Sequence, residues 1–233
     1  MNKEQFINEL KKININITED MLYKLDKYYH ILIEENNKYN LTTITEEQSV
    51  YLKHFYDSLT IIKIINLDKQ YLLDIGTGAG FPGLVLKIVF HNLKVDLLDS
   101  TAKRCMFLNK VINELQLKNI EVINARAEDY AKDNREKYDI VTSRAVAPIK
   151  HLLEYSIPLL KIKGHFISLK SNIDNELTNI NNYYKKLNLY NEEIIQFELP
   201  NELSLRTLYK VTKYKVPPLI YPRQYSQIKK KEI

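Results

Sequence analysis

The sequence predicts an α/β fold, a mainly parallel sheet with helices on both faces and a helical extension before it. Three observations carry that prediction. From Tyr71 onward, short apolar β-prone runs alternate with helix-length amphipathic segments, the pattern of βαβ units. The first 66 or so residues instead keep helical periodicity throughout. Finally, four of only five glycines in 233 residues, Gly76, Gly78, Gly80 and Gly83, crowd into the loop after the first apolar run. A strand that breaks into closely spaced glycines reads as a turn beneath a ligand, where side chains would block the approach of the backbone.

The spacing divides the chain into an N-terminal helical extension (1–66), a sheet domain (67–216) and a basic C-terminal tail (217–233). In the extension, Thr18 suits an N-cap, with Glu19 and Asp20 in the favourable first turn and Leu22, Leu25, Tyr29 and Leu32 as the buried stripe. A polar turn over 36–42 leads to a second helix, whose Thr45-Glu46-Glu47-Gln48 start matches a capping box and whose Leu52, Phe55, Leu59 and Ile62 face inward. His54, Asp57 and Ser58 share a polar face of that helix, as either a structural cluster or a site. Strands are expected at about 71–75, 93–98, 120–124, 138–143 and 164–170, helices at about 83–91, 101–116 and 149–161, and a final strand pair near 190–198 and 206–213.

Composition narrows the functional classes. With 45% hydrophobic and 27% charged residues the chain reads as a globular protein. Its N-terminus carries acids where a signal sequence needs an apolar core, and no apolar run reaches the ~18 residues of a membrane span, so a cytoplasmic location is expected. The single cysteine, Cys105, excludes an internal disulfide, and no Cys/His cluster has zinc spacing, so no metal is expected. The net charge of +5 is modest for a nucleic-acid binder and concentrates in the tail, which suits either a solvated face or phosphate contacts. No feature indicates a protein partner, and a monomer is the expectation.

The glycine loop fits two cofactor classes. Gly78-x-Gly80-x-x-Gly83 satisfies the dinucleotide fingerprint, with Asp99 placed 21 residues beyond Gly78 as a ribose-binding acid. Asp74, at the end of the strand, favours a different ligand. A carboxylate pointing into the crevice repels a pyrophosphate but attracts the sulfonium and ammonium of S-adenosylmethionine, at roughly 1 to 4 kcal/mol per close pair.

Ligands in such sheets bind beyond the carboxyl ends of the strands. Asp99 at the second strand end can accept both ribose hydroxyls, or simply cap the next helix. Lys103 and Arg104 follow in the first turn of that helix, where the macrodipole disfavours them; ion pairs with Asp96 or Asp99, or an RNA phosphate, would account for them. At the third strand end, Ala127 and Glu128 could meet adenine, or lie at the surface. Arg144 ends the fourth strand, where a half-buried guanidinium must find an anion: a cofactor carboxylate, Asp74 or a glutamate, or RNA phosphate. Phe81 could line the pocket or pack in the core, and Pro82 suits the first position of the helix after the loop. The turn after the fourth strand, Ser143-Arg144-Ala145-Val146-Ala147-Pro148, lacks the Pro-Pro-aromatic signature of adenine amino-methyltransferases. Cys105 sits mid-helix, outside the Pro-Cys context of a C5-methylating nucleophile, and reads as packing.

With these residues in view, the chain resembles the glucose-inhibited division protein B family (GidB, also RsmG), guanine-N7 methyltransferases of 16S ribosomal RNA. The resemblance runs in order through Asn40-Leu41-Thr42, His54-x-x-Asp57-Ser58, Asp74 to Gly83, Leu98-Asp99-Ser100 with Lys103-Arg104 and Phe107-Leu108, Ala127-Glu128, Ser143-Arg144-Ala145, Leu169-Lys170 and Tyr221-Pro222-Arg223. Two positions depart from it: Glu35 replaces a common tryptophan, and Ser171 a usual glycine. The resemblance implies a Rossmann-like class I S-adenosylmethionine-dependent methyltransferase sheet, with the cofactor held by Gly76, Phe81, Ala127, Glu128 and Arg144. Asp74, Gly78, Gly80 and Asp99 join that set from the loop and strand ends. It further implies a guanine at position 527, in the RNA's own numbering, as acceptor in 16S RNA or the 30S subunit. Lys103, Arg104, Lys170 and Arg223 are then the candidate RNA contacts. A guanine N7 carries a lone pair and no proton, so no catalytic base is expected.

Overall fold

The computed structural model describes residues 1–173, 175–202 and 204–233. Helices α1 (Lys3–Lys12) and α2 (Glu19–Tyr39) open the chain. A continuous helical segment follows: α3 (Glu47–Val50), a π-helical stretch (Tyr51–Tyr56), α4 (Asp57–Leu59) and a 3₁₀ turn (Thr60–Lys63). The alternating part runs β1 (Tyr71–Ile75), α5 (Gly83–Val89), β2 (Lys94–Asp99), α6 (Ala102–Glu114), β3 (Ile120–Asn124), α7 (Ala127–Asp133), β4 (Tyr138–Arg144), α8 (Ile149–Leu159) and β5 (Leu160–Lys170). It closes with α9 (Ile180–Leu187), β6 (Leu189–Glu198), β7 (Leu205–Lys213) and, in the tail, α10 (Tyr225–Lys230).

The seven strands form one sheet in the order β3-β2-β1-β4-β5-β7-β6. The first five are parallel, and β7 pairs antiparallel with both β5 and β6. Strand order reverses between β1 and β4, which leaves a crevice at their carboxyl ends. Alternate residues feed two cores. Leu72, Val95, Leu97, Ile140, Ile167 and Leu208 pack with the N-terminal helices, α5 and α6. Leu73, Leu98, Val141, Phe166, Tyr209 and Val211 pack with α8, α9 and Ile228 of α10.

All seven expected strands form. The sequence reading lacks α7, α9 and α10, helices of 7, 8 and 6 residues, too short to display a convincing period. Thr18 caps α2 through Met21 N–H as expected. In that helix Tyr28, rather than Tyr29, is fully buried, and its hydroxyl donates to Ala79 O in the glycine loop. Glu46, rather than Thr45, caps α3, accepting from the N–H groups of Gln48 and Ser49. Pro82 precedes α5 as its N-cap instead of occupying its first turn.

The π stretch shifts the helical phase. Asp57 N–H reaches back five residues to Leu52 O, which frees Lys53 O to accept from Arg144 Nη1 at 3.0 Å. The following 3₁₀ turn then buries Ile61 and leaves Ile62 half-buried, opposite to the simple 3.6-residue expectation. Glu35, at the position where tryptophan is common, is buried and held by Lys38 and Lys110, each at 2.8 Å.

Candidate active site

The glycine loop is built on backbone conformations and close approaches that side chains do not tolerate. Gly76 has φ +65°, and a Cβ there would fall 2.7 Å from Val146 Cγ1. Gly83 is constrained by proximity alone, since a Cβ would lie 2.4 Å from Leu97 Cδ2 and 2.9 Å from Asp74 Oδ2. Asp74 is the brace of the loop. Its Oδ2 accepts from Thr77 Oγ1 at 2.6 Å and from Gly83 N–H at 2.8 Å. Burial pushes its pKa up to about 7 against the pull of those two bonds.

This placement corrects the expectation that the Asp74 carboxylate points into the crevice. The side chain is fully buried beneath the loop and lines neither of the cavities at the strand ends. β1 turns its Asp74 side chain toward α5, and the glycine loop passes over it. Gly80 likewise lies behind the wall, tight against Leu84 and Tyr28.

Two adjoining cavities occupy the switch point. The first, about 400 Å³, has Gly76, Gly78 and Phe81 of the loop in its wall, with Thr42, His54, Arg104 and Arg144. The second, about 180 Å³, is lined mainly by Ile75, Leu98, the Ala125–Glu128 turn, Tyr155 and Tyr225. Gly76, Asp99, Ser100 and Val146 belong to both, so the cavities form one crevice of the size typical for small-molecule sites. Asp99 is 3% exposed, its Oδ2 accepting from Gly78 N–H at 3.0 Å and its Oδ1 from Thr101 N–H at 2.8 Å. It both braces the loop and faces the crevice.

Arg144 finds its anion in Asp57. Asp57 Oδ2 accepts from Arg144 Nη1 at 3.2 Å, while Oδ1 accepts from Arg206 Nε at 3.0 Å. The three expected classes of anion are thus replaced by an aspartate of the N-terminal extension, brought in by the docking of α4. Burial pushes the Arg144 guanidinium down from its ordinary value, and the negative charge of Asp57 opposes that shift. Arg144 Nη2 also lies 3.1 Å from His54 Nδ1. Nδ1 thus sits between a donor, the guanidinium, and an acceptor, Lys53 O at 3.2 Å, while Nε2 lies 3.0 Å from Thr42 Oγ1. Burial and the Arg144 charge push the His54 pKa down to about 3, which keeps the ring neutral. The ring stacks on Phe81 with centroids 4.3 Å apart, and the Arg144 guanidinium carbon is 4.9 Å from the Phe81 centroid. Phe81 therefore serves both expected roles, lining the cavity and packing on Tyr28.

The cationic candidates separate into two groups. Lys103 is exposed on α6, and Arg104 lines the first cavity with its Nη1 3.5 Å from Asp99 Oδ2. Lys170 and Arg223, by contrast, are engaged inside the protein. Lys170 Nζ donates to both carboxylate oxygens of Glu176 at 2.6 Å and to Ala147 O at 2.8 Å, supporting the turn after β4. Arg223 grips the fully buried Glu154 through Nε and Nη2, both at 2.7 Å. Cys105 is buried with its thiol on Asp99 O, and burial raises its pKa. Glu128 is nearly buried beside Arg126, and both line the second cavity with Ala127. Among the described residues no group of His, Cys, Asp or Glu could hold a metal, and no helix is long and apolar enough to cross a membrane.

Sequence reasoning did not single out Val146, Tyr155 or Tyr225 for the site, and it placed Thr42 only within a resemblance. A lone valine after a strand and tyrosines far along the chain give no local signal.

The sheet order, the glycine loop over a buried acid and the crevice at the switch point define a class I S-adenosylmethionine-dependent methyltransferase fold. Solved structures agree on that fold. The tRNA (m1A58) methyltransferase TrmI from Aquifex aeolicus is similar with a TM-score of 0.53 at 19% identity, covering 69% of each chain. The M. jannaschii TYW2 structure in complex with AdoMet reaches 0.54 at 14% identity, covering 73% of this chain and 77% of that one. Within the class, the model of the GidB family, rRNA small subunit methyltransferase G, matches residues 21–205, and the chain belongs to that family. Among similar proteins, the ribosomal RNA small subunit methyltransferase G of Mesoplasma florum is 46% identical, covering 91% of this chain and 90% of the relative. That of Exiguobacterium sibiricum is 41% identical, covering 96% of both.

Proposed function

We propose that this protein transfers a methyl group from S-adenosylmethionine to N7 of a guanine, position 527 in the RNA's own numbering, in 16S ribosomal RNA. The observation that carries this reading is the continuous crevice with Asp99 facing both halves. Its parts suit an adenosyl ligand. A partly apolar slot with two tyrosines fits a purine, a strand-end carboxylate fits a vicinal diol, and bare glycine backbone allows close approach. When bound, S-adenosylmethionine supplies an electrophilic methyl on a sulfonium.

In this reading Gly76, Gly78, Asp99, Ala127 and Glu128 hold the cofactor. Asp74 and Gly80 act indirectly, by fixing the loop. Phe81, His54 and Arg144 together form a rigid wall of the first cavity, where the acceptor enters. No residue is required to take a proton, because N7 has none; alignment and desolvation are the tasks of the chain. His54 fits this role, since its neutral ring is locked between Arg144 and Thr42. Lys103 and Arg104, at the rim, meet RNA phosphates. The extension 1–66 supplies Thr42, His54 and Asp57 to the sheet domain 67–216, so the two act as one site. The protein works as a monomer in the cytoplasm on 16S RNA within the small subunit.

The test is incubation with undermethylated 30S subunits and labelled S-adenosylmethionine, followed by chemical cleavage at N7-methylguanine. Label at one 16S guanine supports the proposal; label on another atom or another RNA overturns it.

A further inference from the structure

The C-terminal tail reads from sequence as a solvated or phosphate-contacting basic segment, yet it is folded back over the second cavity. Arg135 donates to Tyr221 O at 2.6 Å and to Pro217 O at 2.8 Å, and Ile228 is buried in the core formed with α8 and α9. The clasp is Arg223 on Glu154. That carboxylate is wholly buried on α8 and accepts from Arg223 N–H at 2.9 Å as well as from the guanidinium fork. A buried carboxylate with one bidentate arginine partner fixes orientation as well as position.

The clasp delivers Tyr225, the first residue of α10, to the wall of the second cavity, whose other lining comes from the β1, β2, β3 and β4 ends, the start of α7 and Tyr155 of α8. Tyr225 is 40% exposed, so the core does not need it. Its ring lies 5.9 Å from the Arg126 guanidinium carbon and 5.3 Å from Lys229 Nζ, placing it beside the Ala125–Glu128 turn. An aromatic face held at the edge of a small, partly apolar slot is suited to a purine ring.

We infer that the tail is a strap that completes the cofactor site, with Tyr225 as a positioning residue for the adenine of S-adenosylmethionine. This rests on the cofactor assignment above and adds a residue from outside the sheet domain. It also couples tail and ligand: a tail that opens takes one wall of the slot with it, so bound ligand holds the tail closed.

The test uses the full chain and S-adenosylhomocysteine, which carries the same adenosine. By calorimetry, Tyr225→Ala weakens binding roughly tenfold or more while Tyr225→Phe stays near wild type. The melting temperature of the unliganded Tyr225→Ala variant stays within about 2 °C of wild type, as its exposure requires. In a second measurement on the wild type, saturating S-adenosylhomocysteine slows tryptic cleavage at Lys229, Lys230 and Lys231 at least tenfold. Wild-type binding that Tyr225→Ala leaves unchanged, or tail cleavage indifferent to bound ligand, overturns the strap. Absence of binding by the wild type overturns instead the cofactor assignment beneath it.

Discussion

Replacing Asp57 with alanine should destabilise the whole protein by removing one residue from the contact between extension and sheet. Asp57 stands between two arginines at 3.2 and 3.0 Å, and side-chain exposures of 7% for Asp57, 15% for Arg144 and 19% for Arg206 leave little water to screen them. Removing one member of a buried ion pair costs about 3–5 kcal/mol, mostly because the surviving charge loses its compensation. Arg144 would keep Lys53 O and His54 Nδ1, two neutral partners that cannot balance its charge. With a urea slope of about 2–3 kcal/mol/M, the midpoint of unfolding falls by about 1–2 M. Asp57→Asn keeps an acceptor but no charge and should lose roughly half as much. Urea titration followed by circular dichroism measures both, and pairing Asp57→Ala with Arg144→Ala closes a double-mutant cycle with a coupling of about 1–3 kcal/mol. A midpoint shift below about 0.3 M, or a cycle with no coupling, refutes the view that this pair is a buried contact in which each charge compensates the other.

Other outcomes follow from the same geometry. Gly83→Ala pushes a methyl against Leu97 and the Asp74 carboxylate, and should cost about 1–3 kcal/mol in urea unfolding; a variant as stable as wild type contradicts the close approach. His54, with its folded pKa lowered to about 3 from an ordinary 6.5, binds fewer protons folded than unfolded between those values. Its contribution is complete above pH 6.5 and is lost as pH falls toward 3, so His54→Gln should flatten the acid side of a stability–pH curve. Asp74 has the opposite sign: its pKa is raised from 3.8 to about 7, so its contribution is complete below pH 4 and lost as pH rises through 7. Wild type should therefore weaken relative to Asp74→Asn between about pH 4 and pH 7, by at most about 4 kcal/mol, and parallel curves would rule out a carboxyl that ionises in that range.

Much of the fold is legible in the sequence because its signals are local. Val95, Leu97 and Leu98 make β2 an apolar run whatever surrounds it, and the four glycines mark the loop because their backbone requirements are intrinsic. Strand ends such as Asp99 and Arg144 can be named as site positions from topology alone. The phase of the second helix is not local: a π turn stabilised by a guanidinium arriving from β4 decides that Ile61 is buried and Ile62 is not.

The sequence by itself determined the α/β architecture, the position of the crevice, the acids and glycines around it, and through its ordered motifs the family to which the chain belongs. The tertiary structure alone decided which charge meets which. Arg144 pairs with Asp57 across 87 residues, Arg223 with Glu154 across 69, and Asp74 turns beneath its loop instead of into the crevice. The reason is physical. Periodicity and backbone preference are properties of a few neighbouring residues, whereas the partner of a buried charge depends on which distant segments the core brings within a few ångströms, and desolvation makes that partner obligatory.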